Sequence, residues 1–133
     1  AALITRSIAE ITRLVIALGG NPLTISGLSG IGDLVLTCTG DLSRNRQVGI
    51  RLGKGEKIDD ILKNMLMVAE GVTTTKAAHD LSKKVDVEMP ITETLYSVLY
   101  EGADIVESFQ ALMTRSLKDE LLSYGGMNDS CSD

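Results

Sequence analysis

Apolar residues recur at helical spacing from the start of the chain. Over residues 3–18 they stand three and four positions apart, which places them on one stripe of a helix. Arg6, Glu10 and Arg13 lie off that stripe. Residues 19–22 (Gly-Gly-Asn-Pro) end the helix, because glycine caps a helix C-terminus and proline cannot continue one.

Further apolar stripes predict helices along the rest of the chain. Residues 34–39 are apolar but too short to distinguish a buried strand from a helix. No β-hairpin signal and no useful alternation occurs, so we predict an all-α fold of six or seven helices. We expect residues 1–116 to form this helical domain and 117–133 to form a polar, disordered tail. The later stripes are Ile58, Ile61, Leu62 and Met65; Ala77, Ala78 and Leu81 within residues 73–85; Ile91, Leu95, Val98 and Leu99, facing inward after Pro90; and Ile105, Phe109, Leu112 and Met113.

Charge and composition exclude some partners. With 133 residues, 44% of them hydrophobic, the chain can bury a core of its own. The net charge of −5 argues against nucleic acid and against an anionic membrane surface, which both attract basic proteins. No apolar run reaches the roughly 18 residues of a membrane span. Any phosphate must therefore be held by local groups against the overall field.

The cysteines and the histidine suggest structural roles. Cys38 and Cys131 make no disulfide framework, which favours a reducing compartment. Cys38 lies in an apolar stretch and is predicted to be a small buried core residue. No closely spaced Cys and His residues suggest a metal site. His79 is predicted to be a surface histidine, and Phe109 and the methionines to serve core or inter-domain packing.

The first residues predict a longer parent chain. The sequence opens on Ala-Ala-Leu-Ile without Met, and the helical pattern is already running with no N-cap residue before it. Arg6 and Glu10 interrupt the apolar stretch, so this is not a signal peptide. We interpret the chain as a fragment whose first helix begins upstream, with a processed mature terminus as the alternative.

A glycine-rich stretch offers the first candidate for chemistry. Gly27, Gly30 and Gly32 read G-x-x-G-x-G, the reverse of the dinucleotide fingerprint, and no strand precedes them. Close helix packing or a sharp backbone turn explains these glycines better than a cofactor loop does.

Asp33 and Thr37 form the second candidate. If their segment is helical, they lie one turn apart and present a carboxylate and a hydroxyl side by side. Asp33 could orient a catalytic cation or a substrate hydroxyl. It could equally be an acid at a helix N-terminus, where the helix dipole favours it.

The run Ser43-Arg44-Asn45-Arg46 is the third candidate, at the start of a predicted helix. A helix N-terminus offers free N–H groups, and an arginine can grip phosphate with two parallel hydrogen bonds. The alternative is a solvated turn with Ser43 as N-cap and the arginines paired with acids. The local chemistry favours a phosphate site.

These motifs together resemble a known family. The run from Gly27 to Thr39, followed by Ser43-Arg44-Asn45-Arg46, resembles the signature of NAD(P)-dependent glycerol-3-phosphate dehydrogenases. Residues 1–6, 70–71 and 100–102 are similar to the same family in the same order, so the resemblance covers about residues 1–116. The bacterial and plastid type fits better than the animal cytosolic type, whose loop before the Arg-Asn pair is shorter.

The resemblance implies a fold, a reaction and site residues. The fold is the all-α substrate domain of a 6-phosphogluconate-dehydrogenase-like enzyme. The reaction interconverts dihydroxyacetone phosphate and glycerol 3-phosphate with NAD or NADP, in a homodimer, in the cytoplasm or the plastid stroma. The implied roles are catalysis for Asp33 and Thr37; substrate binding for Asp33, Ser43, Arg44 and Asn45; and cofactor binding for Arg44, Val68 and Glu70. For Glu70, helix capping is the alternative to cofactor binding.

The sequence also departs from the family's pattern. The Rossmann domain that binds most of the cofactor and the lysine that acts as general acid/base have no counterpart here. We therefore expect negligible activity from these 133 residues alone. Two alternatives stay open: the helical domain of another phosphorylated-substrate or hydroxy-acid dehydrogenase, and a non-catalytic helical interaction domain.

Overall fold

The chain folds as α-helices. A computed structural model describes residues 2–40, 43–65 and 69–115, which contain eight α-helices, one π-helical segment and no strand. The all-α prediction is confirmed. The predicted number of helices was too low, because the glycine-rich region contributes short elements that periodicity cannot detect. In chain order these are α1 (Ala2–Ala17), α2 (Pro22–Ile25), the π segment (Leu28–Gly32), α3 (Asp33–Thr39), α4 (Arg44–Gly53), α5 (Ile58–Lys63), α6 (Glu70–Lys84), α7 (Pro90–Tyr100) and α8 (Ile105–Thr114).

Local chemistry sets the helix ends. Gly19, just after α1, has a φ of 80°, a left-handed conformation that glycine adopts without strain. Asn21 caps α2 by accepting a hydrogen bond from the Leu23 N–H at 2.9 Å. Pro22 and Pro90 open α2 and α7, where a missing N–H costs nothing. The predicted end of α1 before residues 19–22 and the predicted start of a helix at Pro90 are confirmed.

Helices α4, α5 and α6 enclose the apolar core. Val48, Ile61 and Ala69 are buried together, and the side chain of Ile61 is fully enclosed. Because these residues come from α4, from α5 and from the position before α6, the core fixes how the three helices meet. Partly buried neighbours complete it: Leu52, Ile58, Met65 and Val72.

Polar contacts join α1 to α7 and α8. Glu10 is only 3% exposed, and its carboxylate accepts hydrogen bonds from the Ile91 and Thr92 N–H groups at 2.8 and 2.9 Å. The Thr92 hydroxyl donates to it as well, at 2.7 Å. Arg6 donates to the carbonyl of Leu112 near the end of α8. One face of α1 thus satisfies backbone groups at the ends of two distant helices.

Several apolar side chains remain at the surface. Leu95, predicted to face inward, is 47% exposed. That prediction is wrong, because α1, α6 and α8 cover other faces of α7. The prediction that Cys38 is buried is also wrong, since its helix α3 packs mainly against the π segment and leaves the thiol exposed. Phe109 and Met113 of α8 are exposed too, while Leu112 is buried.

Two other features bear on the predictions. His79 is half-buried, with its ring stacked on Tyr96 at a centroid separation of 3.9 Å. Helix α7 therefore partly covers His79, which the sequence predicted to lie at the surface. Within the described ranges, no helix combines the length and apolarity that crossing a membrane requires.

Candidate functional site

The candidate phosphate site begins at the start of α4. Ser43 is extended and caps the helix, its hydroxyl oxygen accepting a hydrogen bond from the Arg46 N–H at 3.3 Å. The N-cap interpretation of Ser43 is confirmed. The cap occupies one lone pair of the oxygen, so the hydroxyl hydrogen can still be donated to a ligand.

Asn45 connects α4 to α6. Its side-chain oxygen accepts a hydrogen bond from the Gly71 N–H at 3.0 Å, across 26 residues of sequence. Gly71 is the second residue of α6, directly after Glu70. The contact therefore brings the Arg44-Asn45 pair and Glu70, which the sequence places far apart, to one location.

Two helix N-termini consequently meet at this location. Helix α4 has 10 residues and α6 has 15, and each N-terminus carries partial positive charge from its unpaired N–H groups. Arg44 is half-buried at the first position of α4 and adds a full positive charge. Glu70 is exposed in the first turn of α6 and adds a hydrogen-bond acceptor. The arrangement offers cationic donors and one carboxylate side by side.

Asp33 and Thr37 lie on a separate helix, α3. Both are exposed and stand one helical turn apart, as the helical alternative for their segment predicts. Asp33 also occupies the first turn of α3, so its alternative role as an N-terminal acid fits the structure. In the parts of the chain that are described, no hydrogen bond or ion pair joins these two residues to Arg44 or Asn45. Their roles stay predictions.

Two further sequence candidates have different outcomes. Val68 lies outside the described residues, so its cofactor role stays a prediction. The glycine-rich stretch forms the π segment, and a Cβ at Gly30 would clash with the carbonyl oxygen of Ile25. Close backbone approach therefore explains Gly30, which confirms the packing interpretation.

The far end of α4 carries an ion pair. The Arg51 Nε donates to a Glu56 carboxylate oxygen at 2.8 Å. This hydrogen bond holds the pKa of Glu56 below its ordinary value and raises the pKa of Arg51. Arg51 is thus neutralised by a partner, whereas no carboxylate in the described ranges pairs with Arg44.

Sequence reasoning missed the long-range contacts of Gly71 and Glu10. The sequence shows Glu70-Gly71 as a motif, but nothing in it pairs Gly71 with Asn45. Glu10 lies off the apolar stripe of α1 and is nevertheless buried. No spacing rule could have found its partners, because they lie 81 and 82 residues away.

Comparison with known proteins identifies the family. The family model described as NAD-dependent glycerol-3-phosphate dehydrogenase C-terminus matches residues 1–110. The match covers most of the chain, including Asp33, Ser43, Arg44, Asn45 and Glu70. The chain therefore belongs to the family of NAD-dependent glycerol-3-phosphate dehydrogenase C-terminal domains.

Individual relatives agree with this assignment. Glycerol-3-phosphate dehydrogenases [NAD(P)+] of Solidesulfovibrio magneticus and Syntrophobacter fumaroxidans are 62% and 61% identical over 90% and 91% of this chain. A crystal structure of glycerol-3-phosphate dehydrogenase from Coxiella burnetii superposes with a TM-score of 0.84 and 42% identity, over 86% of this chain. The chain spans 36% of each of the first two relatives and 35% of the third.

Proposed function

We propose that this chain is the substrate-binding helical part of a glycerol-3-phosphate dehydrogenase. The whole enzyme would interconvert dihydroxyacetone phosphate and glycerol 3-phosphate by hydride transfer. The observation that carries the proposal is the meeting of the α4 and α6 N-termini, with Arg44, Asn45 and Glu70 at their first turns.

The phosphate would bind at the start of α4. Free N–H groups at a helix N-terminus and a guanidinium together stabilise a doubly charged phosphoryl group. Arg44 is suited to this role because it is half-buried and lacks a carboxylate partner in the described ranges. Ser43 and Asn45 would add neutral hydrogen bonds from the same turn. The local positive charge would outweigh the acidic balance of the chain.

Glu70 would contact the nicotinamide cofactor. Its exposed carboxylate can accept hydrogen bonds from ribose hydroxyls, which fits the ribose part of NAD or NADP. Arg44 would contribute from the neighbouring helix. The cofactor supplies the hydride when bound, and the residues described here would orient it relative to the phosphate site.

Asp33 and Thr37 would line the reacting end of the substrate. A carboxylate and a hydroxyl one turn apart can hold the two hydroxyl or carbonyl groups of a three-carbon phosphate. Val68 would complete the cofactor contact. A homodimeric enzyme in the cytoplasm or the plastid stroma is the corresponding proposal for assembly and location.

Exchange of Arg44 tests the phosphate site. The protein to use is a replacement chimera, in which this chain takes the place of the matched third of the Solidesulfovibrio magneticus relative. We expect Arg44→Ala to raise the dissociation constant of glycerol 3-phosphate about 10- to 150-fold, since a charge-assisted contact contributes about 1.5–3 kcal/mol. Isothermal titration and the KM for dihydroxyacetone phosphate would measure the change.

Arg51 provides the matched control for this experiment. It lies on the same helix but is paired with Glu56, so Arg51→Ala should leave ligand affinity unchanged. A chimera that binds no glycerol 3-phosphate, or an Arg44→Ala variant that binds as well as the unmutated chimera, would contradict the proposal. A non-catalytic helical interaction domain would bind no phosphate ligand and would tolerate Arg44→Ala.

A further inference from the structure

The hydrogen bond between Gly71 and Asn45 fixes the orientation of a carboxamide. A carboxamide has an acceptor end and a donor end, and it can present either one to a ligand. A backbone N–H can only donate, so the Gly71 N–H selects the Asn45 side-chain oxygen as its partner at 3.0 Å. The Nδ2 group, with its two donors, is left to face other partners.

Gly71 also leaves room for the Asn45 carboxamide in this orientation, because glycine has no side chain. A Cβ atom at Gly71 would lie 2.7 Å from the Cγ and Oδ1 atoms of Asn45 and 2.8 Å from its Nδ2. Any side chain there would push the carboxamide aside. Because the atoms in conflict belong to the end of a side chain that can rotate, the fold would tolerate the change while the carboxamide would lose its place.

We propose that Gly71 is a positioning residue for phosphate recognition, which acts through Asn45 by directing its amide donors toward the ligand. The proposal deepens the proposed function and rests on it. The oxygens of a doubly ionised phosphoryl group only accept hydrogen bonds, so an Asn45 side chain that presented its oxygen would repel them. Gly71 thus makes the site selective for an anion without touching that anion.

The same contact couples two parts of the site. Gly71 follows Glu70 in the first turn of α6, while Asn45 follows Arg44 in the first turn of α4. The hydrogen bond therefore sets the position of the proposed cofactor contact relative to the proposed phosphate contact. Displacement of Asn45 should weaken phosphate binding and, more weakly, change the alignment of the cofactor.

Three variants of the replacement chimera test the proposal. We expect Gly71→Ala to raise the dissociation constant of glycerol 3-phosphate about tenfold, the effect of one lost hydrogen bond to an anion, with little change in Tm. Asn45→Asp keeps an acceptor for the Gly71 N–H but presents a carboxylate, so it should retain the Tm and lose at least tenfold in affinity. Gly49→Ala is the control. Gly49 lies on the same helix as Asn45, and a Cβ there would meet nothing within 4 Å in the described residues.

A double variant shows whether Gly71 acts through Asn45. Once Asn45→Ala has removed the carboxamide, adding Gly71→Ala should cause no further loss of affinity. Losses that multiply would overturn the proposal, as would a Gly71→Ala variant that binds as tightly as the Gly49→Ala control. An Asn45→Asp variant that binds normally would also overturn it.

The readouts distinguish this proposal from the proposed function. If the unmutated chimera fails to bind glycerol 3-phosphate, the proposed function fails and the role of Gly71 fails with it. If the chimera binds and Arg44→Ala weakens binding while Gly71→Ala does not, the role of Gly71 alone fails. Titration of inorganic phosphate with the same variants should give the same ranking, because the Asn45 donors address the phosphoryl group.

Discussion

The α4–α6 region is joined by an apolar cluster, whereas the α1–α7–α8 region adds long-range hydrogen bonds to its apolar contacts. In the first, Val48, Ile61 and Ala69 form an apolar core across three helices. In the second, Glu10 and Arg6 satisfy helix ends that lie more than 80 residues away. Apolar burial is non-directional, whereas each of these hydrogen bonds requires one particular geometry.

The difference explains where the candidate site lies. The site belongs to the apolar region, since Asn45 and Gly71 are in the two helices that Val48 and Val72 pack together. A packed core holds helix starts in fixed positions, which a phosphate site needs. The α1–α7–α8 region, in contrast, leaves apolar residues such as Leu95 and Phe109 exposed.

Truncation of Ile61 should have the largest effect on stability. Ile61 is fully enclosed, so Ile61→Ala should lower the free energy of unfolding by about 2–5 kcal/mol through lost burial and the cavity left behind. Urea unfolding followed by circular dichroism would measure it. Leu62→Ala, on the same helix but 38% exposed, is the control and should cost clearly less. Equal losses would mean that the core does not govern this region.

Removal of the Glu10 carboxylate should have the next largest effect. Glu10→Ala leaves two backbone N–H groups and one hydroxyl without their acceptor, and should cost about 2–3 kcal/mol in the free energy of unfolding. Glu10→Gln keeps one acceptor oxygen and should fall between this variant and the unmutated chain. Denaturant titration gives both values. A loss below about 1 kcal/mol for Glu10→Ala would show that other contacts hold α1.

The smallest effect should come from the Lys83–Glu93 ion pair. Lys83 donates to Glu93 at 2.8 Å, which lowers the pKa of Glu93. A lowered carboxyl pKa stabilises the fold above the unfolded pKa of about 4.3, and this contribution is lost as the pH falls through the folded pKa. Both side chains are more than half exposed, so solvent screens the pair. As the pH is lowered from 7, the urea midpoint should decline slightly less for Glu93→Gln than for the unmutated chain. Identical curves for the two proteins would exclude a contribution from the ion pair.

The helices were predictable where local chemistry decides them. The apolar stripe of α1, the prolines that open α2 and α7, and the Ser43 cap of α4 all depend on residues within a few positions of each other. The segment of α3 was ambiguous, because residues 34–39, four of them apolar and two of them threonine, fit a strand or a helix equally well. Its neighbour, the π segment, decides the outcome by continuing directly into it.

Burial and the site depended on long-range contacts. Glu10 was predictable as a position off an apolar stripe, yet α7 supplies the donors that make its burial favourable. Ser43, Arg44 and Asn45 were predictable as candidate anion ligands from residue type and spacing, and that role stays a prediction. The contact between Asn45 and Gly71 was not, because it depends on how the core of Val48 and Ile61 sets α4 against α6.

The buried carboxylate on α1 has a consequence for protein synthesis. During translation Glu10 is synthesised long before its partner Thr92, which lies 82 residues later. At roughly 5–20 residues per second, synthesis from Glu10 to Thr92 takes about 4–16 seconds, during which Glu10 lacks these partners. Helix α1 can therefore dock on α7 only after Ile91 and Thr92 have been made.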